Sequence, residues 1–281
     1  MPTPMDDSAS HVRRRSGRNV PVATAVGVAL AALVLLTLYT VTFLFVALVT
    51  LAVMLGVFEV CRVLGRRGVD VPLVPVVVGG AAMVVAAYVD GTDALTAALV
   101  LTIVAMTASR VFAPAPERLV KDVVVGTFVA VYVPLLAASA VLMAAADDGA
   151  DRIVVFIVAV VLSDTGGFAA GVRFGRHPMA PTVSPKKSWE GLAGSLVAAI
   201  VGSAISVPIL LGAQWWQGAL VGVVAVATAT AGDLAESMLK RDLGVKDMGN
   251  LLPEHGGIMD RLDSLLPTAP VMALVLAAIT S

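Results

Sequence analysis

Asp233, Glu236, Ser237 and Lys240 fall at i, i+3, i+4 and i+7, so a helix would carry all four on one face. Two carboxylates one turn apart can hold a hard cation such as Mg²⁺, and a lysine one turn further on can meet a phosphate oxygen. The same spacing also describes a solvated helix face with a Glu236–Lys240 ion pair. Asp260 and Asp263 repeat the i, i+3 pattern, with Arg261 between them and Ser264 after them. Metal ligation competes there with simple helix capping, because acids at a helix start are favoured by the dipole. The joining loop carries Lys246, Asp247, Gly249, Pro253, His255, Gly256 and Gly257. Its glycine pair lets backbone approach a ligand. His255 could donate to a phosphate, relay a proton, or be structural. Residues 232–264 hold seven of the chain's twenty acids and four of its nineteen bases, between segments nearly free of charge. Charges that dense suggest a site for metal and phosphate.

Two upstream segments add to this. SPKKSWEG, residues 184–191, places Ser184, Lys186 and Lys187 beside Trp189. It could bind a triphosphate or a lipid headgroup, or be plain juxtamembrane charge. Asp164 sits in an apolar stretch, VLSDTGGFAAGVRFGR, where an acid is expensive and a functional candidate by default. Gly167, Gly171 and Gly175 there have GxxxG spacing, which points to close helix packing. Glu59 is expected to pair with Arg62 one turn on. No Walker A loop, GxSxG or zinc-spaced Cys/His set occurs, so the ligands are hard oxygens suited to Mg²⁺ rather than zinc. The single Cys61 excludes an intrachain disulfide and reads as an apolar filler.

The elements that must position these residues are membrane helices. The chain is 58% hydrophobic and only 14% charged, against about 25% charged in soluble domains. Spans of about 20 apolar residues are expected at 20–38, 40–63, 71–89, 93–109, 123–146, 152–170, 190–212, 215–232 and 265–280. Backbone groups in lipid must be satisfied internally, so the expected fold is all-α, a polytopic bundle of about nine transmembrane helices. With the N-terminus in the cytoplasm, 18 of the 19 basic residues fall on the inner side, and Arg152 is the exception. That places residues 232–264 at the cytoplasmic face of the cell membrane. The expected organisation is a disordered basic tail (1–19), scaffold helices (20–150) and a catalytic membrane region (151–281). A net charge of −1 offers no general field for nucleic acid.

The run Ser237-Met-Leu-Lys240-Arg241, then Lys246-Asp247-Met-Gly249, then Leu252-Pro253-Glu-His255-Gly256-Gly257-Ile-Met-Asp260-Arg261-Leu-Asp263, resembles the hallmark of the phosphatidate cytidylyltransferases, the CDP-diacylglycerol synthases. SPKKSWEG and SDTGGFAAGVRFG resemble the same family's patterns, so the resemblance covers roughly residues 163–264. The first 150 residues match only as apolar spans. The resemblance implies transfer of CMP from CTP to phosphatidate, giving CDP-diacylglycerol and pyrophosphate for phospholipid synthesis. It implies a Mg²⁺ requirement, with a second, monovalent cation left open, and a homodimer in the bilayer. It implies Asp233, Asp260 and Asp263 as metal ligands, with Lys240, Arg241 and Lys246 facing phosphates. Asp164, Ser184, Lys186, Lys187, Glu236, Ser237, Asp247, His255 and Arg261 complete the expected substrate-binding set. The chemistry agrees, since an ionised phosphate oxygen needs alignment and charge neutralisation rather than a protein nucleophile. Two other readings of the residues are a transporter of an anionic solute and another CTP-dependent lipid kinase or cytidylyltransferase. No internal repeat supports the transporter, and no local pattern marks a reader of the cytosine.

Overall fold

A computed structural model describes residues 20–113, 118–251 and 256–280. The basic tail and His255 lie outside the described residues. In chain order the elements are α1 (Val20–Thr40), α2 (Thr42–Arg66), α3 (Leu73–Val111), α4 (Leu119–Ala130), α5 (Leu136–Ala144) and α6 (Gly149–Phe174). A short hairpin, β1 (Pro178–Ala180) and β2 (Ser184–Ser188), precedes α7 (Trp189–Leu211), α8 (Trp215–Asp242), α9 (Met259–Leu262) and α10 (Leu265–Thr280). One π turn, Val131–Leu135, joins α4 to α5 around Pro134, which has no N–H to continue the α ladder.

Among the described residues, seven helices are long and apolar enough to cross a membrane; α4, the π turn and α5 count as one, and α9 with α10 as another. Helix α1, Val20–Thr40, has 21 residues and carries no charge along its length. Helix α3 has 39 residues where the sequence suggests two spans. It turns at Asp90 and at Gly91, whose φ of 69° is left-handed and suits glycine. The chain then doubles back. A side chain added at Gly79 would run into Thr102, and Arg110 at the far end pairs with Asp70 just before the helix at 2.6 Å. A straight helix of that length would separate those two residues by almost 60 Å at about 1.5 Å per residue.

The bundle ends sort by charge. At one end Arg110 bridges Asp70 and Asp122, both at 2.6 Å; Arg67 donates to the Leu243 carbonyl at 2.7 Å; and Arg241 donates to Val183 at 3.4 Å. At the other end Tyr39 donates to Asp151 at 2.7 Å, and Arg152 reaches Thr280 at 2.6 Å. Among the described residues the antiparallel β1–β2 pair is the one sheet, in an otherwise helical bundle. That hairpin lies between apolar segments, where Pro185 and Lys186 are exposed and the backbone is released from the helical requirement of lipid. It is tied to α7. Ser188 caps that helix by accepting from the Gly191 N–H at 3.1 Å, and Glu190 accepts from the Arg176 and His177 amides and faces the His177 ring at 2.5 Å.

Helices α6 and α7 meet almost backbone to backbone. A Cβ on Gly166 would stand 2.6 Å from the Gly194 carbonyl oxygen, and one on Gly194 would stand 2.6 Å from that of Gly166. Gly167 and Gly171 of the GxxxG stripe likewise lie against Ser195 and Gly191 of α7, so the stripe is a packing device, as its spacing suggests. The contact brings Asp164, on α6, beside the start of α7 and its lysines.

Candidate active site

A cavity of about 390 Å³ opens between α6, the hairpin, α7, α8 and the α9–α10 start. Asp164, Asp233, Asp260 and Asp263 line it together with Lys186, Lys187 and Arg261. The two acid pairs, far apart in sequence, thus share one chamber. Gly232 makes this possible, since a Cβ there would stand 2.7 Å from both the Asp263 carbonyl oxygen and the Pro267 ring. Close approach of α8 to the α10 start sets Asp233 beside Asp263. These two and Asp164 lie within electrostatic reach of one another.

Each charge has a defined setting. Lys187 pairs with Asp233. Lys240 bridges Asp260 at 3.0 Å and Glu236 at 3.3 Å. The other oxygen of Asp260 accepts the backbone N–H groups of Met248, at 3.0 Å, and Gly257, at 2.9 Å. Asp263 accepts from the Ser264 amide at 2.8 Å, and Ser264 donates to Asp164 at 3.4 Å. Glu236 is fully buried, and neither of its oxygens receives a hydrogen bond among the described residues.

The other expected residues are placed differently. Ser184 lies in β2, opposite Ala180, and does not line the cavity. Ser237 is half-buried on α8 outside it. Arg241 is exposed and tacks the end of α8 to the hairpin. Lys246 and Asp247 line a separate cavity of about 440 Å³ with Glu59, Arg62 and Arg66. The Glu59–Arg62 pair is corrected: among the described residues Glu59 makes no ion pair, and its carboxylate instead accepts the Met259 N–H at 3.0 Å. Helical spacing allows the pair, but Glu59 points inward and is buried while Arg62 is exposed.

Several lining residues escape sequence reasoning: Ser163, Ser188, Ser195 and Thr230. The Ser195 hydroxyl crosses from α7 to donate to the Ser163 carbonyl at 2.7 Å. Its one signal is its place four residues after Gly191 on the small-residue stripe facing α6.

The donors around the cavity fit a hard divalent cation. The acids that line the cavity offer oxygens only, and Asp164 and Asp263 carry no ion pair among the described residues. Among the described residues no three acidic, His or Cys side chains close around one point, and Lys187 and Lys240 pair with Asp233 and Asp260.

Fold and site together define a polytopic helical membrane protein with a chamber of carboxylates and lysines at one end of its bundle. The model of the "Cytidylyltransferase family" matches residues 21–279, and the chain belongs to that family. It is 40% identical over 274 residues to a phosphatidate cytidylyltransferase of Mycobacterium bovis, covering 93% of this chain and 90% of that one. A phosphatidate cytidylyltransferase of Mycobacterium leprae is 38% identical over 294 residues, covering 96% and 94%. The enzyme of that name from Haemophilus influenzae is 44% identical over 121 residues, covering 41% of this chain and 42% of that one.

Proposed function

We propose that this protein is a CTP:phosphatidate cytidylyltransferase. The observation that carries the reading is the convergence of Asp164, Asp233, Asp260, Asp263, Lys186, Lys187 and Arg261 on one chamber in a chain of the cytidylyltransferase family. A phosphate oxygen of phosphatidate attacks the α-phosphorus of CTP. The bond from that phosphorus to the β-phosphate oxygen breaks, CMP is transferred, and pyrophosphate leaves. The nucleophile is already ionised, so the chain's task is alignment and charge neutralisation. Lys187 and Lys240, now held by carboxylates, would turn to phosphate oxygens as substrate enters, with Lys186 and Arg261 at the chamber wall. Ser188 and Ser195 offer hydroxyls at the same wall. Asp233, Asp263 and Asp260, with Asp164 beside them, would hold Mg²⁺, which supplies neutralisation of the triphosphate. Asp260 has only the oxygen facing Lys240 available, because backbone amides take the other. Arg241, Lys246, Asp247, Ser184 and Ser237 would act at longer range from outside the chamber.

The charge sorting of the bundle ends supports a chamber on the cytoplasmic side, where CTP is available and phosphatidate arrives from the inner leaflet. The doubled-back α3 and the apolar α1 support nine crossings. A homodimer belongs to this reading as what the resemblance implies.

Purified protein given phosphatidate, Mg²⁺ and each nucleoside triphosphate in turn should release pyrophosphate and form the CDP-lipid with CTP. Equal turnover with all four nucleotides, or none with CTP, would overturn the reading. Within it, Lys187→Ala should raise the KM for CTP or phosphatidate by about tenfold or more, the value of one charge-assisted hydrogen bond. If both constants stay at wild-type values, the lysine serves only to neutralise Asp233.

A further inference from the structure

We infer that Glu59, on α2 and outside the chamber, is a positioning residue for the reaction: its buried carboxylate holds the backbone at Met248–Gly249 and at Gly257–Met259, and through those two stretches it sets Asp260. The inference rests on the cytidylyltransferase reading and adds to it a residue from the part of the chain expected to be mere scaffold.

Glu59 sits in the middle of an apolar helix face and is only 3% exposed. A carboxylate buried without a cation is costly, so some compensating contact must retain it. One oxygen accepts the Met259 N–H at 3.0 Å, across 200 residues of sequence. The other is buried without a hydrogen bond among the described residues. It packs instead on the loop backbone. A Cβ on Gly249 would overlap that oxygen, and a Cβ on Gly257 would stand 2.5 Å from its twin. Gly249 and Gly257 therefore flank the carboxylate with no side chain to obstruct it.

The same loop holds Asp260. Gly257 and Met248, next to the two points of contact with Glu59 or part of them, donate their N–H groups to one oxygen of Asp260. Met248 and Met259 are buried in the core that contains Val57, Val60 and Cys61 of α2. Two apolar plugs and one carboxylate thus fasten the loop to α2. Its fastened backbone in turn orients the carboxylate that meets Lys240. A displacement of about 1 Å at a reacting centre can cost on the order of a hundredfold in rate.

The test uses the protein in detergent, with kcat, KM for CTP and thermal unfolding measured for wild type and five variants. Glu59→Ala should lose at least about tenfold in kcat, with the KM for CTP within about threefold of wild type and a folded, monodisperse protein. Glu59→Gln keeps an acceptor for the Met259 N–H and should recover most of that loss. Gly249→Ala should lower kcat by pushing on the carboxylate, and this loss should vanish in the Glu59→Ala background, where the space is free. Wild-type kcat in Glu59→Ala, equal losses in Glu59→Ala and Glu59→Gln, or losses that multiply in the double variant would each overturn the clamp. If Glu59→Ala does not fold, Gly249→Ala in the Glu59→Gln and wild-type backgrounds decides it: undiminished kcat in Gly249→Ala refutes the clamp. Absence of CTP-dependent turnover in wild type defeats the proposed function instead, and the coupling of residues 59 and 249 in thermal unfolding then still reads the contact.

Discussion

Asp260→Asn is expected to turn over at least about a hundredfold more slowly than wild type, in protein that still inserts and folds. The amide retains a carbonyl oxygen that can accept from Met248 and Gly257 as the carboxylate now does at 3.0 and 2.9 Å, so the loop keeps its brace. What goes is the negative charge and the oxygen that meets Lys240 at 3.0 Å. An amide nitrogen there would face an ammonium group and could neither bind a divalent cation nor hold the lysine in place. Initial rates on purified protein, beside a size-exclusion profile matching wild type, separate the lost chemistry from a lost fold. Wild-type turnover would remove Asp260 from the group that handles metal and phosphate.

Lys240→Met should produce the largest loss of stability from a single change at the partners of the chamber's acids. Its ammonium group serves two carboxylates, Glu236 at 3.3 Å and Asp260 at 3.0 Å, and Glu236 has no exposure at all. Breaking a buried pair by removing one partner costs about 3–5 kcal/mol, because a charge is left without compensation. For a chain of this size that corresponds to a fall in Tm on the order of 10 °C. The double variant Glu236→Gln with Lys240→Met removes the stranded charge and should regain at least half of the fall, while remaining inactive. Thermal unfolding in detergent measures both. An unchanged Tm in Lys240→Met would mean that Glu236 does not carry its charge in the folded protein.

The features legible in the sequence were those encoded locally. Long uncharged runs became helices, Asp233, Asp260 and Asp263 came to one chamber, and Lys240 came to Asp260. The Glu236–Lys240 pair was visible as i, i+4 spacing. The turn within α3 was visible too, because Asp90 and Gly91 interrupt an apolar run. Contacts made only in three dimensions were hidden. Lys246 and Asp247 belong to the same motif as Asp260, yet the loop turns them toward α2 and a different cavity. Helical spacing pairs Glu59 with Arg62, and no local signal ties it to an amide 200 residues on. The hairpin before α7 was hidden for another reason: a strand pair of three and five residues has no period long enough to read.

The glycine contacts have a consequence beyond cohesion. Asp164 rides on α6, Lys187 leads into α7, Asp233 rides on α8 and Asp263 opens α10. Each neighbouring pair of those helices touches where a glycine removes the side chain: Gly166 with Gly194, Gly222 against the Ala199 carbonyl, Gly232 against that of Asp263. The spacing between the chamber's charges is therefore gauged by main chain resting on main chain, not by adjustable rotamers. A single methyl group at any of these positions would act as a shim, widening the distance between charges by a fixed step in a protein that still crosses the bilayer.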